Sequence, residues 1–505
     1  MATFRTFVFQ QQRKYWAAIV ICSLLQWTIF KFLYPFPSFY WDSYSYIYAA
    51  YQHLDVEIWP IGYSWLLAGF HQITSSDTAL VSVQYGIYVV SALFLYFTTI
   101  YFFIPGKMVR IGLTIFLFFD PLFFYFSNYI GSDNLFMSGS LCWLAQLIWI
   151  LQRPARWQVV SQAVTFFILF TIRYNAMIYP IVAAVAFILS RHRVPAKTLG
   201  VILGPLLILP FILFSSNAAR KLTGSGQFPP IVGGWQWGNN ALYMRKYIEV
   251  DSNTLPSAQT RELDRIAREY FQNEPRQYSD LSSIPANFFM VARGSPMWQY
   301  LLRNYPQKNL ADYHNFSDFI ASYGKVSPVF DQYGKYLIRR HPDAFFRYFV
   351  GLNLPNYFLP PLESFARYNS GQDTVNEMAQ VWFQYPNNKV RAASKDVQKY
   401  FFKALPVLFC MLNLVFFGYG IYFWVGRLYR RTPAGFNKVL LLAVLLAILN
   451  FGFSVTAAII IMRYQIFPLM ILFVFSLLLI DQLLTPRSDP VYSTTKSRET
   501  TGYTV

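Results

Sequence analysis

Cysteine is scarce in this chain. Cys22, Cys142 and Cys410 are the only three in 505 residues, each inside an apolar stretch and none at a CxxC or Cys/His ligand spacing. That pattern points away from a disulfide framework and from a zinc site. Charge is scarce too, at 13% of residues, and acid is the scarcer sign, with 24 Asp and Glu against 42 Lys and Arg. The signatures Gly-x-x-x-x-Gly-Lys, Gly-x-Gly-x-x-Gly, Gly-x-Ser-x-Gly and His-Glu-x-x-His are all missing, so no nucleotide hydrolysis is expected, and the protein uses an energy-rich substrate made elsewhere or none. His53, Asp55 and Glu57 alternate in one loop, but one imidazole with two acids makes a weak metal set, and no metal ligand is assigned.

Hydrophobic residues make up 55% of the chain and come in blocks of about 20, the length that crosses a bilayer as a helix. One residue in five is aromatic, which suits interfacial belts and platforms for ring-shaped ligands. The net charge of +18 is spread among the apolar blocks, so it reads as membrane topology and not as a nucleic-acid surface. Spans are expected near 15–34, 80–103, 108–127, 132–151, 157–173, 174–190, 197–216, 404–426, 437–460 and 463–484. The fold class that follows is an all-α polytopic membrane protein of about ten transmembrane helices, with a mostly helical extramembrane domain between helices 7 and 8.

The stretch Ile58 to Phe70 is 13 residues long and holds Pro60 and Gly62, so it reads as an interfacial or re-entrant helix. With that parity Arg13, Lys14, Lys107, Arg110, Arg153, Arg156, Arg191, Arg193, Arg427, Arg430 and Arg431 share one side, which the positive-inside rule makes cytoplasmic. All but three of the 24 acids, Asp481, Asp489 and Glu499, then face outward. The basic stretch Phe4 to Lys14 runs into a full-length span with no small-residue cleavage site, so the first helix is expected to be retained. Both termini are expected to be cytoplasmic and the membrane a bacterial inner membrane. The chain divides into an N-terminal transmembrane module (1–216), an extracytoplasmic domain (217–403), C-terminal helices (404–484) and a polar tail (485–505) expected to be disordered. Within the domain, helices are expected at Ser257 to Asn273, with a capping box on Ser257 and Thr260, and at Phe330 to Gly351 around His341-Pro342.

Four polar residues lie where apolar spans meet the outer face. Asp42 follows the first span in Pro35-Phe-Pro-Ser-Phe-Tyr-Trp-Asp-Ser-Tyr-Ser-Tyr-Ile-Tyr48, and Asp133 opens the fourth in Asp120-Pro-Leu-Phe-Phe-Tyr-Phe-Ser-Asn-Tyr-Ile-Gly-Ser-Asp-Asn-Leu-Phe136. Each reads as an N-cap, Asp42 for a short helix through Ala50, or as a functional acid, and the two roles are compatible. Together they suit orienting an acceptor hydroxyl or holding a divalent cation. Arg173 interrupts a 34-residue apolar run, and Arg463 begins the last span. A buried guanidinium costs about 2.5–3.5 kcal/mol on insertion scales, so Arg173 either snorkels to headgroups or meets an anion. The pair suits a phosphate or pyrophosphate.

The order of these pieces resembles the GT-C superfamily of membrane glycosyltransferases, in particular the bacterial branch similar to protein O-mannosyltransferases and aminoarabinose transferases. The matching segments are Trp41-Asp-Ser-Tyr44, Trp59-Pro-Ile-Gly-Tyr-Ser-Trp-Leu-Leu-Ala-Gly-Phe70, Ser132-Asp-Asn-Leu-Phe136, Ile172-Arg-Tyr-Asn-Ala176 with Pro180, and Met462-Arg-Tyr-Gln-Ile-Phe-Pro468. They cover residues 1 to about 216 and 437 to 484. Ser43 stands where many relatives carry a second acid, and Asp133 where Glu is common. The resemblance implies a glycosyltransferase moving a sugar from a polyprenyl-phosphate donor to a lipid, glycan or protein hydroxyl, with inversion. Asp42 would be the base and Asp133 would order the acceptor or the base. Arg173 and Arg463, with Tyr44, Tyr174 and Tyr464 beside them, would meet the lipid phosphate. A divalent cation is the one cofactor left open, and membrane lipids but no nucleic acid are expected as further partners. The alternatives from other classes are a transporter or lipid or glycan flippase, which calls for inverted repeats and broken mid-membrane helices, and a scaffold displaying the outward domain.

Overall fold

The computed structural model describes residues 3–273, 285–306, 316–457 and 459–484. Among them the regular secondary structure is all helical, with no β-strand beyond two isolated bridges. Among the described residues eight helical stretches are long and apolar enough to cross a membrane: Arg13–Leu33, Asp77–Phe103, Lys107–Ser127, Ser132–Gln152, Val194–Thr223, Val397–Val425, Ala434–Ala457 and Met462–Leu484. Two shorter apolar stretches, Trp157–Ile172 and Tyr174–Leu189, lie at the two remaining expected positions. The Gly62–His71 helix has 10 residues, about 15 Å at 1.5 Å per residue, half of the roughly 30 Å hydrocarbon thickness. The polar tail lies outside the described residues.

Local chemistry explains the breaks. Lys107–Ser127 is two helices, because Asp120 precedes Pro121 and cannot stay helical. Asp120 turns extended, and its carboxylate accepts the Leu122 N–H at 2.9 Å. Trp157–Ile172 ends at an extended Arg173, one 3-10 turn follows over Tyr174–Ile178, and Pro180 in the first turn restarts the helix Tyr179–Leu189. Val194–Thr223 runs on through Pro205 and Pro210, although each removes a helical hydrogen bond.

The 217–403 insertion packs in two parts. Residues from Ala218 to Phe349 share a core of their own, which Val56 and Ile58 of the first loop join. The part from Tyr357 to Phe402 packs instead on the core of the transmembrane helices. The expected helix at Ser257 forms as Ala258–Gln272, with Ser257 and Thr260 closing a capping box. The helix placed at Phe330 to Gly351 is not one element, since Phe316–Arg340 stops at His341, ahead of Pro342, and a new helix begins there. Inside the first part Asp264, fully buried, is held by Arg245 at 2.6 Å, by Arg268 at 3.2 Å and by the Tyr333 hydroxyl at 2.9 Å. That satisfied network is a structural brace.

Candidate active site

Two loops at the insertion end of the bundle are laced into one platform. Ser38 and Tyr129 form a parallel bridge, with Ser38 N–H donating to the Asn128 carbonyl at 2.8 Å and Ile130 N–H to the Ser38 carbonyl at 3.1 Å. Ser43 Oγ accepts the Tyr40 N–H and donates to the Ile130 carbonyl at 2.5 Å, while the Tyr46 and Ser132 hydroxyls meet at 2.9 Å. From the neighbouring span Gln84 donates to the carbonyls of Ser127 and Tyr129 at 3.1 and 3.0 Å. Gly131 is required here, because a Cβ would collide with the Tyr129 ring.

This platform sets Asp42 and Asp133 side by side. Both stand in the first turn of a helix, Trp41–Tyr51 and Ser132–Gln152, where the helix dipole favours an anion. Neither is the N-cap; that position belongs to Tyr40 and Gly131, so the capping readings are corrected and the carboxylates are spent on arginines. Asp133 pairs with Arg173 and, at 3.3 Å, with Arg463. Arg463 pairs through its other terminal nitrogen with Asp42 at 2.7 Å. The four side chains thus alternate in sign as Arg173, Asp133, Arg463, Asp42.

Aromatic groups complete the cluster, the expected Tyr464 together with Tyr129 and Tyr40, to which no site role was given. The hydroxyls of Tyr129 and Tyr464 accept from Arg463 at 2.6 and 2.9 Å. The Tyr464 ring lies under both guanidiniums, 4.4 Å from Arg173 and 4.9 Å from Arg463. Tyr40 flanks Arg463 at 5.2 Å. Tyr46 was within reach of a sequence reading, since it lies four residues after Asp42 on one helical face. Tyr129 carried no such signal.

Two expectations about the arginines change. Each guanidinium is already matched to a carboxylate, so the pair is not an open anion clamp; Arg173 is 13% exposed and Arg463 only 7%. Arg463 also bridges the two acids, so the place between them suggested for a divalent cation holds a fixed cation instead. Among the described residues no group of three His, Cys, Asp or Glu comes together; His53 and Asp55 are exposed and Glu57 is buried. Of the predicted tyrosines, Tyr464 is in the cluster and Tyr174 lines a cavity next to Arg173, packed on Phe170 and Phe228 at 5.5 and 5.0 Å. Tyr44 is elsewhere: its hydroxyl accepts the Asn376 N–H at 3.3 Å and its ring stacks on Phe39. Two residues after Asp42, it points to the other side of the helix.

Of the cavities that border the cluster, two larger ones share Asp42. One of about 250 Å³ is lined by Arg173, Tyr174, Met177, Trp237, Phe453 and Ala457. The other, of about 420 Å³, is lined by Trp41, Asn287, Arg293, Trp298, Glu363 and Arg463. Asp42, Trp59 and Tyr464 belong to both walls.

Behind Asp42 lies Glu57, fully buried, with the Ser45 and Ser64 hydroxyls donating to it at 2.5 and 3.1 Å. Burial pushes its carboxyl up to about 8, the serine hydroxyls oppose the shift, and Asp42 adds to it. An unfolded glutamate titrates near ~4.3, so the folded state holds the proton more tightly; this stabilisation is full below that pH and is lost as pH rises through about 8. Thermal unfolding followed against pH should show stability falling across that window, and Glu57→Gln should flatten the slope.

No protein-family model, curated protein or solved structure matches the chain. The site therefore has to be read from its own geometry.

Proposed function

We propose that this chain is a glycosyltransferase of the GT-C type it resembles, moving a sugar from a polyprenyl-phosphate donor to an acceptor hydroxyl at the non-cytoplasmic face of a membrane. The observation that carries the reading is the alternating chain Arg173, Asp133, Arg463, Asp42, set between two cavities that share Asp42. A carboxylate that touches both spaces is placed to take a proton from a group in one as that group attacks a group in the other.

In this mechanism Asp42 removes the acceptor hydroxyl proton and the oxygen attacks the anomeric carbon from the face opposite the phosphate. The bond from that carbon to the phosphate oxygen breaks, the electron pair leaves with the lipid phosphate, and the configuration inverts. Arg173, the more open guanidinium, meets the developing phosphate charge. Arg463 and Asp133 hold Asp42 and Arg173 in place. The smaller cavity, with Met177, Phe453 and Ala457 on its wall, suits the apolar donor lipid next to Arg173. In the same reading the short helices Trp157–Ile172 and Tyr179–Leu189 complete ten crossings, both termini are cytoplasmic, and the membrane is a bacterial inner membrane.

The test is incubation of the purified protein in liposomes with a panel of polyprenyl-phosphate sugars and a panel of lipid, glycan and peptide acceptors bearing a free hydroxyl, following release of polyprenyl phosphate and the anomeric configuration of the product. One donor is expected to be cleaved with inversion. Transbilayer movement of the intact lipid sugar without cleavage of any donor would establish the flippase alternative instead.

A further inference from the structure

The larger cavity differs in chemistry from its neighbour, and part of its wall comes from the insertion, which the family resemblance does not cover. Trp298, Phe319 and Tyr323 of the insertion face it together with Trp41 and Trp59 of the first outward loop. Trp41 is 57% exposed, an unusual cost for a large ring unless something packs on it. Trp298 and Phe319 lie nearly parallel, 15° apart with centroids at 6.1 Å, which gives the wall a flat face.

Glu363 and Arg293 give the wall a carboxylate and a guanidinium. Glu363 holds φ +48°, a left-handed conformation costly for any residue with a side chain and concentrated at functional sites.

We infer that this cavity is the acceptor site and that the acceptor group it takes is a saccharide; the inference rests on the glycosyltransferase reading and names its second substrate. A sugar hydroxyl both donates and accepts, so neighbouring hydroxyls meet the Glu363 carboxylate and the Arg293 guanidinium together, while the apolar ring face packs on the aromatic wall. A lipid chain offers those two charged groups no hydrogen bond. A peptide brings its own backbone amides, for which the wall offers no strand edge. At about 420 Å³ the space falls in the ~300–1,000 Å³ range of small-molecule sites. Asp42, on the shared wall, then takes the proton of a sugar hydroxyl in this cavity as its oxygen attacks the anomeric carbon of the donor in the other.

The experiment uses the full chain in nanodiscs and reads tryptophan fluorescence during titration with methyl glycosides of glucose, galactose and N-acetylglucosamine, with a threonine-containing hexapeptide, and separately with a short polyprenyl phosphate. At least one glycoside is expected to bind saturably and the peptide not to. Arg293→Gln and Glu363→Gln should each weaken the glycoside about tenfold, leave polyprenyl-phosphate binding unchanged and, since both side chains are exposed, leave the melting temperature unchanged as well. No saturable glycoside binding, peptide binding that the same variants weaken, or glycoside binding indifferent to both variants would overturn the saccharide site. In those cases intact polyprenyl-phosphate binding leaves the glycosyltransferase reading standing, and its loss in the wild type counts against that reading instead.

Discussion

Asp42→Asn is expected to slow sugar transfer by ~10²–10⁴-fold, the contribution of a positioned general base, while the protein still binds donor and still folds. Asparagine keeps the shape and one oxygen that can accept the Arg463 N–H now held at 2.7 Å, but it cannot take a proton from an incoming hydroxyl. The substitution also removes one of two anions from a cluster holding two cations, so a modest fall in melting temperature is expected. A fall in rate far larger than the loss of folded protein separates chemistry from stability. The measurement is single-turnover release of polyprenyl phosphate when donor-loaded enzyme is mixed with acceptor, with thermal unfolding of the same preparations. A variant that turns over at the wild-type rate would remove Asp42 from the reaction and leave its pairing with Arg463 as its whole role.

Much of the architecture was legible because the bilayer imposes one length and one polarity on every crossing. Spans such as Asp77–Phe103 and Ser132–Gln152 announce themselves as apolar blocks bounded by polar residues, and the shortness of Ile58 to Phe70 was enough to set it apart from them. Asp42, Asp133, Arg173 and Arg463 were legible for a related reason: charge at the end of an apolar helix is expensive, so a residue kept there has a partner or a task. The pairing of those charges was not legible. It depends on the Ser38–Tyr129 bridge and on Ser43 and Gln84, small polar contacts between loops about ninety residues apart with no periodic signature. Reading each arginine alone also made both look available to a phosphate, whereas the fold gives each a carboxylate first. Tyr44 was misplaced because closeness in sequence stood in for closeness in space; helical geometry turns it away from Asp42 within two residues. The larger cavity was hidden for the same reason as the pairing, since Asn287, Trp298 and Glu363 meet Trp41 only once the insertion has folded back over the first loop.

Arg463 is the residue on which the cluster depends, and Arg463→Ala is expected to be the most damaging single change, costing ~3–5 kcal/mol, because truncating one member of a buried ion network strands the others. Its guanidinium serves Asp42 at 2.7 Å, Asp133 at 3.3 Å and the hydroxyls of Tyr129 and Tyr464 at 2.6 and 2.9 Å. Removing it leaves Arg173 to Asp133 and strips Asp42 of its ion-pair partner. Arg463→Lys is not expected to rescue, since a single ammonium cannot span two acids that lie on the opposite nitrogens of a planar fork. The charge argument makes a sharper demand on a pair of changes. Asp42→Asn combined with Arg463→Gln deletes one charge of each sign, so the double variant should be more stable than the sum of the two single losses allows, with a coupling of ~0.5–3 kcal/mol. The cycle is read by thermal unfolding in one detergent at fixed pH. Additive losses would mean that Arg463 acts through its packing against Tyr40, Tyr129 and Tyr464, and the positioning of Asp42 would then rest on the loop bridge and not on the ion network.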